Sequence, residues 1–320
     1  MTLNILNLEP EGYSDSAKQL LESMGNVITG PHDREGLLDT VEQVDVLIVR
    51  LGHRIDKEVM SHGKRLKVIV SATTGLNHID LAYAAKKNIE VLSLKGETAF
   101  LETLTATAEL TWMLLLTLVR KASSAINHVS DGRWQRDLFK GSQLQGKILG
   151  VIGYGRLGKI VADYGRAFKM EVIVNDPFIE KVPKWTQNVS LNELLTRADI
   201  VSLHVPLEQE TVKLLSDEQF SLMKKGAILI NTSRGEIIDE RALLKSLKSG
   251  HLRGAGLDVI SNEVEQHAGW PSNSELWQYS TQVDNVLITP HIGGATMESM
   301  EDSEIFMANK LSMYVNEISV

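Results

Sequence analysis

Cysteine is absent from all 320 residues, which excludes disulfides, thiolate metal sites and cysteine nucleophiles. Basic residues are in deficit: 33 Lys and Arg stand against 41 Asp and Glu, a formal charge of −8. Neither nucleic acid nor an anionic membrane is an expected partner, because phosphate contacts need clustered Lys and Arg in excess. No long apolar run occurs. The longest, residues 112–119, is interrupted by Thr117 and falls far short of the roughly 20 residues that span a bilayer, so it reads as a buried helix. The N-terminal stretch lacks both the basic start and the apolar core of a secretory signal, and a cysteine-free chain suits a reducing compartment. The expected location is the cytoplasm. No repeat, low-complexity tract or Pro- or Ser-rich linker breaks the chain.

What is present is ordinary globular material: 43% apolar residues, enough for a large core, in a chain about twice the ~150-residue prior for one domain. Short apolar, β-branched runs fall at 3–8, 44–50, 67–71 and 89–94, then at 147–152, 171–176, 200–205, 227–232, 256–260 and 286–289. Most are continuous rather than alternating, as strands buried on both faces of a parallel sheet are. Amphipathic stretches such as 14–24 and 156–168 lie between them, so the fold class is α/β with helices flanking parallel sheets. A long helical stretch, 103–129, separates the two strand series. Residues 261–280 read as a long loop or insertion.

The sharpest motif is Gly153-Tyr154-Gly155-Arg156-Leu157-Gly158. With 24 Gly in 320 residues, chance supplies about 0.1 such patterns per chain, so the motif alone is weak. Here it follows a buried-strand pattern and opens an amphipathic helix. The next strand run ends in Asp176, close to the spacing of ~20 residues at which a dinucleotide-binding turn places its ribose acid. Gly153 permits the tight turn, Gly155 lets backbone approach a pyrophosphate, and Gly158 allows close helix–strand packing. Unpaired N–H groups and the positive helix end then face the phosphates. Asp176 can accept from ribose hydroxyls and would repel a 2′-phosphate, which favours NAD over NADP. The bland alternative is a glycine-rich turn beside a solvated Asp.

Ligands of doubly wound sheets bind beyond the carboxyl ends of the strands, so polar residues just after strand runs are the ones to inspect. Arg234, Glu263 and His291 all emerge there. An Arg can hold a substrate carboxylate bidentately, and a His can exchange the proton of a hydroxyl whose carbon changes oxidation state. A neighbouring Glu would favour the imidazolium and fix its tautomer. Spacing alone leaves alternatives open: a surface ion pair for Arg234, a solvated carboxylate for Glu263, and eight other histidines as rivals of His291. His204, which also ends a strand run, is the nearest rival.

These segments together resemble the D-isomer-specific 2-hydroxyacid dehydrogenases: the glycine turn with Asp176, Ile230-Asn-Thr-Ser-Arg-Gly235, Gly256-Leu-Asp-Val-Ile with Glu263, and Thr289-Pro-His-Ile-Gly-Gly294. Ser202-Leu-His-Val-Pro206 and Asp131-Gly-Arg-Trp134 also look like family segments. Order and spacing match over nearly the whole chain. The likeness is nearest to the phosphoglycerate dehydrogenase branch, without the C-terminal regulatory domains that many of its members carry.

The resemblance implies a Rossmann NAD-binding domain over 101–290 and a flavodoxin-like α/β substrate domain made of 1–100 with a return over 291–320. It implies NAD as cofactor, with Thr232, Asp258 and the His204-Val205-Pro206 segment near it in addition to the glycine turn. Arg234 would bind the carboxylate and carbonyl, Glu263 would partner the imidazole, and His291 would be the general acid–base. Thr73, Thr74 and Gly75 match a loop whose N–H groups hold the substrate carboxylate, and Arg50 matches an arginine near the substrate. A homodimer joined through the Rossmann domains is implied, and no metal.

Three departures surround the substrate rather than the cofactor. Thr73 stands where Gly is usual, Val264 follows Glu263 where Pro is usual, and the stretch to Ser280 is long. Arg50, Arg54 and Lys95 could serve a phosphorylated or dicarboxylic substrate, or be surface charges. Two other readings fit the same fold. One is oxidation of phosphite or formate, and Glu263 counts against formate because formate enzymes carry Gln there. The other is a nucleotide-sensing co-repressor that binds partner proteins.

Overall fold

The computed structural model describes residues 2–30, 33–263 and 270–318. The chain divides into two compact units, Met1–Leu104 with Ala295–Val320, and Thr105–Gly294. His291 thus belongs to the second unit, and the division falls four residues later at each end than the 100/101 and 290/291 boundaries.

The first unit is built on five parallel strands, β1 (Leu3–Asn7), β2 (Gly25–Thr29), β3 (Val46–Val49), β4 (Val68–Ser71) and β5 (Glu90–Ser93), in the order β2-β1-β3-β4-β5. β3 and β4 are buried at every position, which is why they read as unbroken apolar runs. β2 is an edge strand, half-buried and opened by Gly25-Asn26, so no apolar run announces it. Three of its helices begin at an Asp whose carboxylate accepts N–H groups of the first turn, at Asp33, Asp56 and Asp80, satisfying donors that helix starts leave unpaired. The C-terminal helix Met297–Ile318 packs against helix Asp15–Met24 and against β4 and β5, burying Met307, Ala308 and Leu311.

The second unit carries seven parallel strands, β6 (Ile148–Ile152), β7 (Glu171–Asn175), β8 (Thr186–Asn188), β9 (Ile200–Leu203), β10 (Ile228–Asn231), β11 (Gly254–Leu257) and β12 (Val286–Ile288). Their order is β12-β11-β10-β9-β6-β7-β8. The chain runs outward from β6 in both directions, so the switch point lies between β6 and β9, where doubly wound sheets bind ligands. β8 is a short, largely exposed edge strand of polar residues and leaves no apolar signature. β11 begins two residues before its apolar run. Gly254 and Gly256 lie against the helix Ala106–Arg120, and a Cβ on Gly256 would stand 3.0 Å from both the Ile230 side chain and Leu114 Cβ. Small residues are needed there although they weaken a strand signal.

The 103–129 stretch is not one helix. Lys121 adopts φ 51° and divides Ala106–Arg120 from Ala122–Ser130. The first of these packs on β10, β11 and β12 with Trp112, Leu114 and Leu115 buried, so its apolar character is that of a core helix. Within the expected loop 261–280 the structure places a helix, Glu275–Ser280, started by the Ser274 hydroxyl accepting from Trp277 N. Val264 lies outside the described residues.

Candidate active site

The glycine turn sits directly after β6. Gly153 has φ 88°, and a Cβ there would lie 2.6 Å from the His204 carbonyl oxygen, because the His204 N–H donates to Ile152 O at 2.7 Å. Gly158 is held tighter still: a Cβ would come within 2.0 Å of Gly153 O. Gly155, at φ −74°, has nothing within 4 Å of the same construction. Two glycines are therefore dictated by packing and the middle one by open space. The helix Arg156–Ala167 starts at Gly155 with no side-chain cap, leaving its first N–H groups to a ligand. This is the cradle a pyrophosphate fits.

Asp176 closes the turn. Its Oδ2 accepts the Tyr154 N–H at 2.9 Å and its Oδ1 the Phe178 N–H at 3.0 Å. A carboxylate has about four acceptor sites, so capacity for hydroxyl donors is left. Arg156, next in the turn, is drawn below its ordinary pKa by burial, and half-buried Leu157 packs against the apolar core. On the neighbouring strand end, His204 Nε2 lies 2.8 Å from Ser202 Oγ, while its Nδ1 is buried without a protein partner. Burial lowers the His204 pKa to about 4. Val205 lines the turn, its Cγ1 2.9 Å from where a Gly153 Cβ would be, and Pro206 is exposed. An open glycine, uncapped N–H groups and an orphaned imidazole nitrogen together fit a dinucleotide.

β10 ends in Asn231-Thr232-Ser233-Arg234. Thr232 Oγ1 is 2.8 Å from Thr111 Oγ1 in the core, and Asn231 Nδ2 donates to the Arg234 carbonyl at 2.8 Å. Arg234 Nη1 donates to Ser233 O at 2.6 Å. Burial pulls the guanidinium below its ordinary pKa, and the carboxylates of Glu263 and Glu236 oppose that shift. Arginine keeps its charge throughout. Gly235 then crosses the end of β11 so closely that a Cβ would lie 2.2 Å from Ile260 C.

Past that crossing, the residues that lead to Glu263 are held by acids that strand-end spacing overlooks. Glu240 Oε1 accepts the Ser261 N–H at 2.6 Å and Glu236 Oε1 the Asn262 N–H at 3.2 Å. Burial raises the Glu240 pKa while its bonds to Ser261 lower it. Glu263 Oε1 in turn lies 2.8 Å from His291 Nδ1, with both side chains largely shielded. A proton on Nδ1 facing that carboxylate would leave Nε2 as the nitrogen open to a ligand. Among the described residues Nε2 has no protein partner.

His291 itself stands at φ 53°, a conformation uncommon outside glycine. Asp258, only 1% exposed, holds it there. The Asp258 carbonyl accepts the His291 N–H at 2.9 Å. Its carboxylate accepts from Thr289 Oγ1 at 2.6 Å, Ile292 N at 2.8 Å and Gly293 N at 2.7 Å. Burial raises the Asp258 pKa, against the pull of these donors and of His291.

In the first unit, Thr73, Thr74 and Gly75 follow β4. Thr73 Oγ1 donates to Gly75 O at 2.9 Å and is 2.9 Å from Ser71 Oγ. The N–H groups of Thr74, Gly75 and Leu76 have no protein acceptor among the described residues. Arg50, after β3, is bound to Glu9 and to Glu304.

A family model described as D-isomer specific 2-hydroxyacid dehydrogenase, NAD binding domain, matches residues 112–293. A D-3-phosphoglycerate dehydrogenase of Methanocaldococcus jannaschii is 37% identical over 302 residues, 93% of this chain and 55% of that enzyme. The chain thus spans about half the length of that relative. A hydroxypyruvate reductase of Thermotoga maritima is 36% identical over 297 residues, 92% of this chain and 93% of the relative. Among solved structures, a D-lactate dehydrogenase from Aquifex aeolicus complexed with NAD and lactic acid superposes with a TM-score of 0.85 at 29% identity, covering 98% of this chain and 96% of that one.

Proposed function

The chain belongs to the D-isomer specific 2-hydroxyacid dehydrogenase family, and on that premise we propose that it interconverts a small D-2-hydroxy acid and its 2-oxo acid, with His291 as the proton-transferring group. The cofactor is NAD, which when bound gives or takes the hydride at C2. The observation that carries the assignment is the 2.8 Å contact of His291 Nδ1 with Glu263 Oε1. It orients Nε2 as the nitrogen that gives a proton to the 2-oxo oxygen or takes it from the hydroxyl. Asp258 keeps the ring in place through the backbone on either side of it. Arg234, half-buried and fully charged, is the group to pair with the carboxylate and polarise the carbonyl. The open N–H groups of Thr74, Gly75 and Leu76 are suited to an anion such as a carboxylate. Gly153 to Gly158, Asp176, His204 and Thr232 are the residues proposed to hold the dinucleotide.

Two further features go with this reading. Ile126, Val129, Trp134 and Leu138 are large apolar side chains between 52% and 86% exposed, which supports a homodimer joined through the second unit. A cytoplasmic location suits a soluble metabolic enzyme free of cysteine. The deciding experiment is NADH oxidation, followed by absorbance, against 2-oxo acids with and without phosphate, together with formate and phosphite in the reverse direction. Turnover of a 2-oxo acid is expected. Tight NADH binding with no turnover of any acid would turn the assignment toward the sensing alternative.

A further inference from the structure

On the carboxyl edge of the five-stranded sheet, the loops after β1 and β3 are tied together by Arg50. Its Nε donates to Glu9 Oε2 at 3.2 Å, and Nη2 donates to the carbonyls of Glu9 and Glu11 at 3.0 and 3.3 Å. Nη1 donates to Glu304 Oε1 at 3.2 Å. Four of the five guanidinium N–H groups are therefore committed within the unit. Glu304 comes from the C-terminal helix, its side chain is 1% exposed, and its second oxygen accepts the Ser14 N–H at 2.7 Å. Burial pushes the Glu304 pKa up, against the Ser14 N–H and Arg50. With both acids ionised the cluster carries one net negative charge; with only Glu9 ionised it is neutral. In neither state does it offer positive charge to an anion.

The next strand end, residues 71–78, offers no Arg or Lys. β4 finishes at Ser71, fully buried, whose hydroxyl lies 2.9 Å from Thr73 Oγ1 and 3.2 Å from His78 Nε2. Arg54 and Lys95 are exposed, where water and salt screen a charge. The edge thus presents backbone N–H groups enough for one carboxylate, and its best-placed arginine is already neutralised.

We infer that the acid turned over by this chain carries one negative charge, its own carboxylate, and no phosphate, and that Glu304 determines this by withholding Arg50 from a second anion. The inference rests on the dehydrogenase reading above. It works by unfavourable electrostatics against the wrong substrate rather than by better contacts with the right one.

The test is steady-state reduction by NADH of hydroxypyruvate and of its 3-phosphate ester, which differ only in the phosphate. The wild-type chain is expected to prefer the free acid by about 100-fold or more in kcat/KM, since uncompensated like charge costs several kcal/mol. Glu304→Gln keeps the side-chain volume and removes a negative charge, and is expected to narrow that preference about tenfold, mainly through KM for the ester. Equal or better wild-type turnover of the ester overturns the inference while leaving the dehydrogenase reading intact. An unchanged ratio in a folded E304Q removes Glu304 from the selection. If E304Q does not fold, the wild-type ratio and the inhibition constant of the ester against hydroxypyruvate still decide. Failure to reduce any 2-oxo acid, glyoxylate and pyruvate included, overturns both readings together.

Discussion

The buried carboxylate of Asp258 is bound by the N–H groups of Ile292 and Gly293, the two residues after His291, at 2.8 and 2.7 Å. The Asp258 carbonyl accepts the N–H of His291 itself at 2.9 Å. One residue at the end of β11 thus grips His291, the histidine proposed to transfer the proton, and holds it at φ 53°. Asp258→Asn keeps the shape but turns an NH2 group toward an N–H donor. We expect kcat to fall about 10- to 100-fold, the size of effect that a misplaced catalytic group produces. Unchanged kcat in the folded variant would show that His291 does not depend on this grip.

His291→Ala is expected to lower kcat by about 10² to 10⁴, the usual contribution of a general acid–base, with NADH affinity retained. Glu263→Ala removes only the partner that fixes the tautomer, so its loss should be smaller. Measured side by side, a larger loss for Glu263→Ala would reverse the two roles.

The placement of the strand-end residues was legible in the sequence because the carboxyl ends of parallel strands open on one edge of the sheet. Arg234, Glu263 and His291 are brought together, although alone Arg234 reads as a surface ion pair, Glu263 as a solvated carboxylate and His291 as one of nine histidines. The supporting acids were not legible. Glu236, Glu240, Glu9 and Glu304 look like solvated carboxylates in a chain with 41 acidic residues, and only folding reveals that each meets a backbone N–H or Arg50. Edge strands β2 and β8 were missed for a related reason: half-exposed strands carry little apolar signal. The single turn residue Lys121, which splits the long helix, has no composition that marks it as a breaker.

Glu240 gives the next test. Its carboxylate holds the Ser261 N–H at 2.6 Å, two residues before Glu263. Glu240→Ala should reduce kcat through a loosened Glu263 and lower Tm through the orphaned N–H, a loss of about 1–3 kcal/mol. NADH affinity should hold. Restoration of kcat by Glu240→Gln, which can still accept the bond, distinguishes positioning from charge. No recovery in a folded Gln variant would make the charge itself the requirement.

The glycine turn separates binding from folding. Gly155→Ala meets no atom within 4 Å and keeps an ordinary backbone angle, so Tm should stay within about a degree. The added methyl group occupies the space through which backbone reaches a pyrophosphate, and Kd for NADH should rise about tenfold or more, each tenfold being 1.4 kcal/mol. Gly158→Ala, with Gly153 O at 2.0 Å from the new carbon, should instead lower Tm. Titration calorimetry and thermal unfolding of the two variants check the contrast; normal NADH binding by Gly155→Ala would move the phosphates away from this turn.

His204 makes stability depend on pH in a predictable direction. Burial lowers its pKa to about 4, below the ordinary histidine value near 6.5, so the folded chain disfavours the proton that the unfolded chain accepts. Its contribution is complete above the unfolded value and is lost as pH falls from about 6.5 toward 4. At pH 5 the loss should be roughly 1–2 kcal/mol, each pKa unit being 1.36 kcal/mol. The check is the urea unfolding free energy at pH 7.5 and pH 5 for the wild type and for His204→Gln. Other groups titrate over the same range, so the difference between the two proteins is the quantity to read. It should shift in favour of the glutamine variant on acidification, because a glutamine has no proton to gain. A pH-independent difference would mean that His204 titrates alike in the folded and unfolded chains, and its candidacy as a neutral neighbour of the cofactor turn would fail with it.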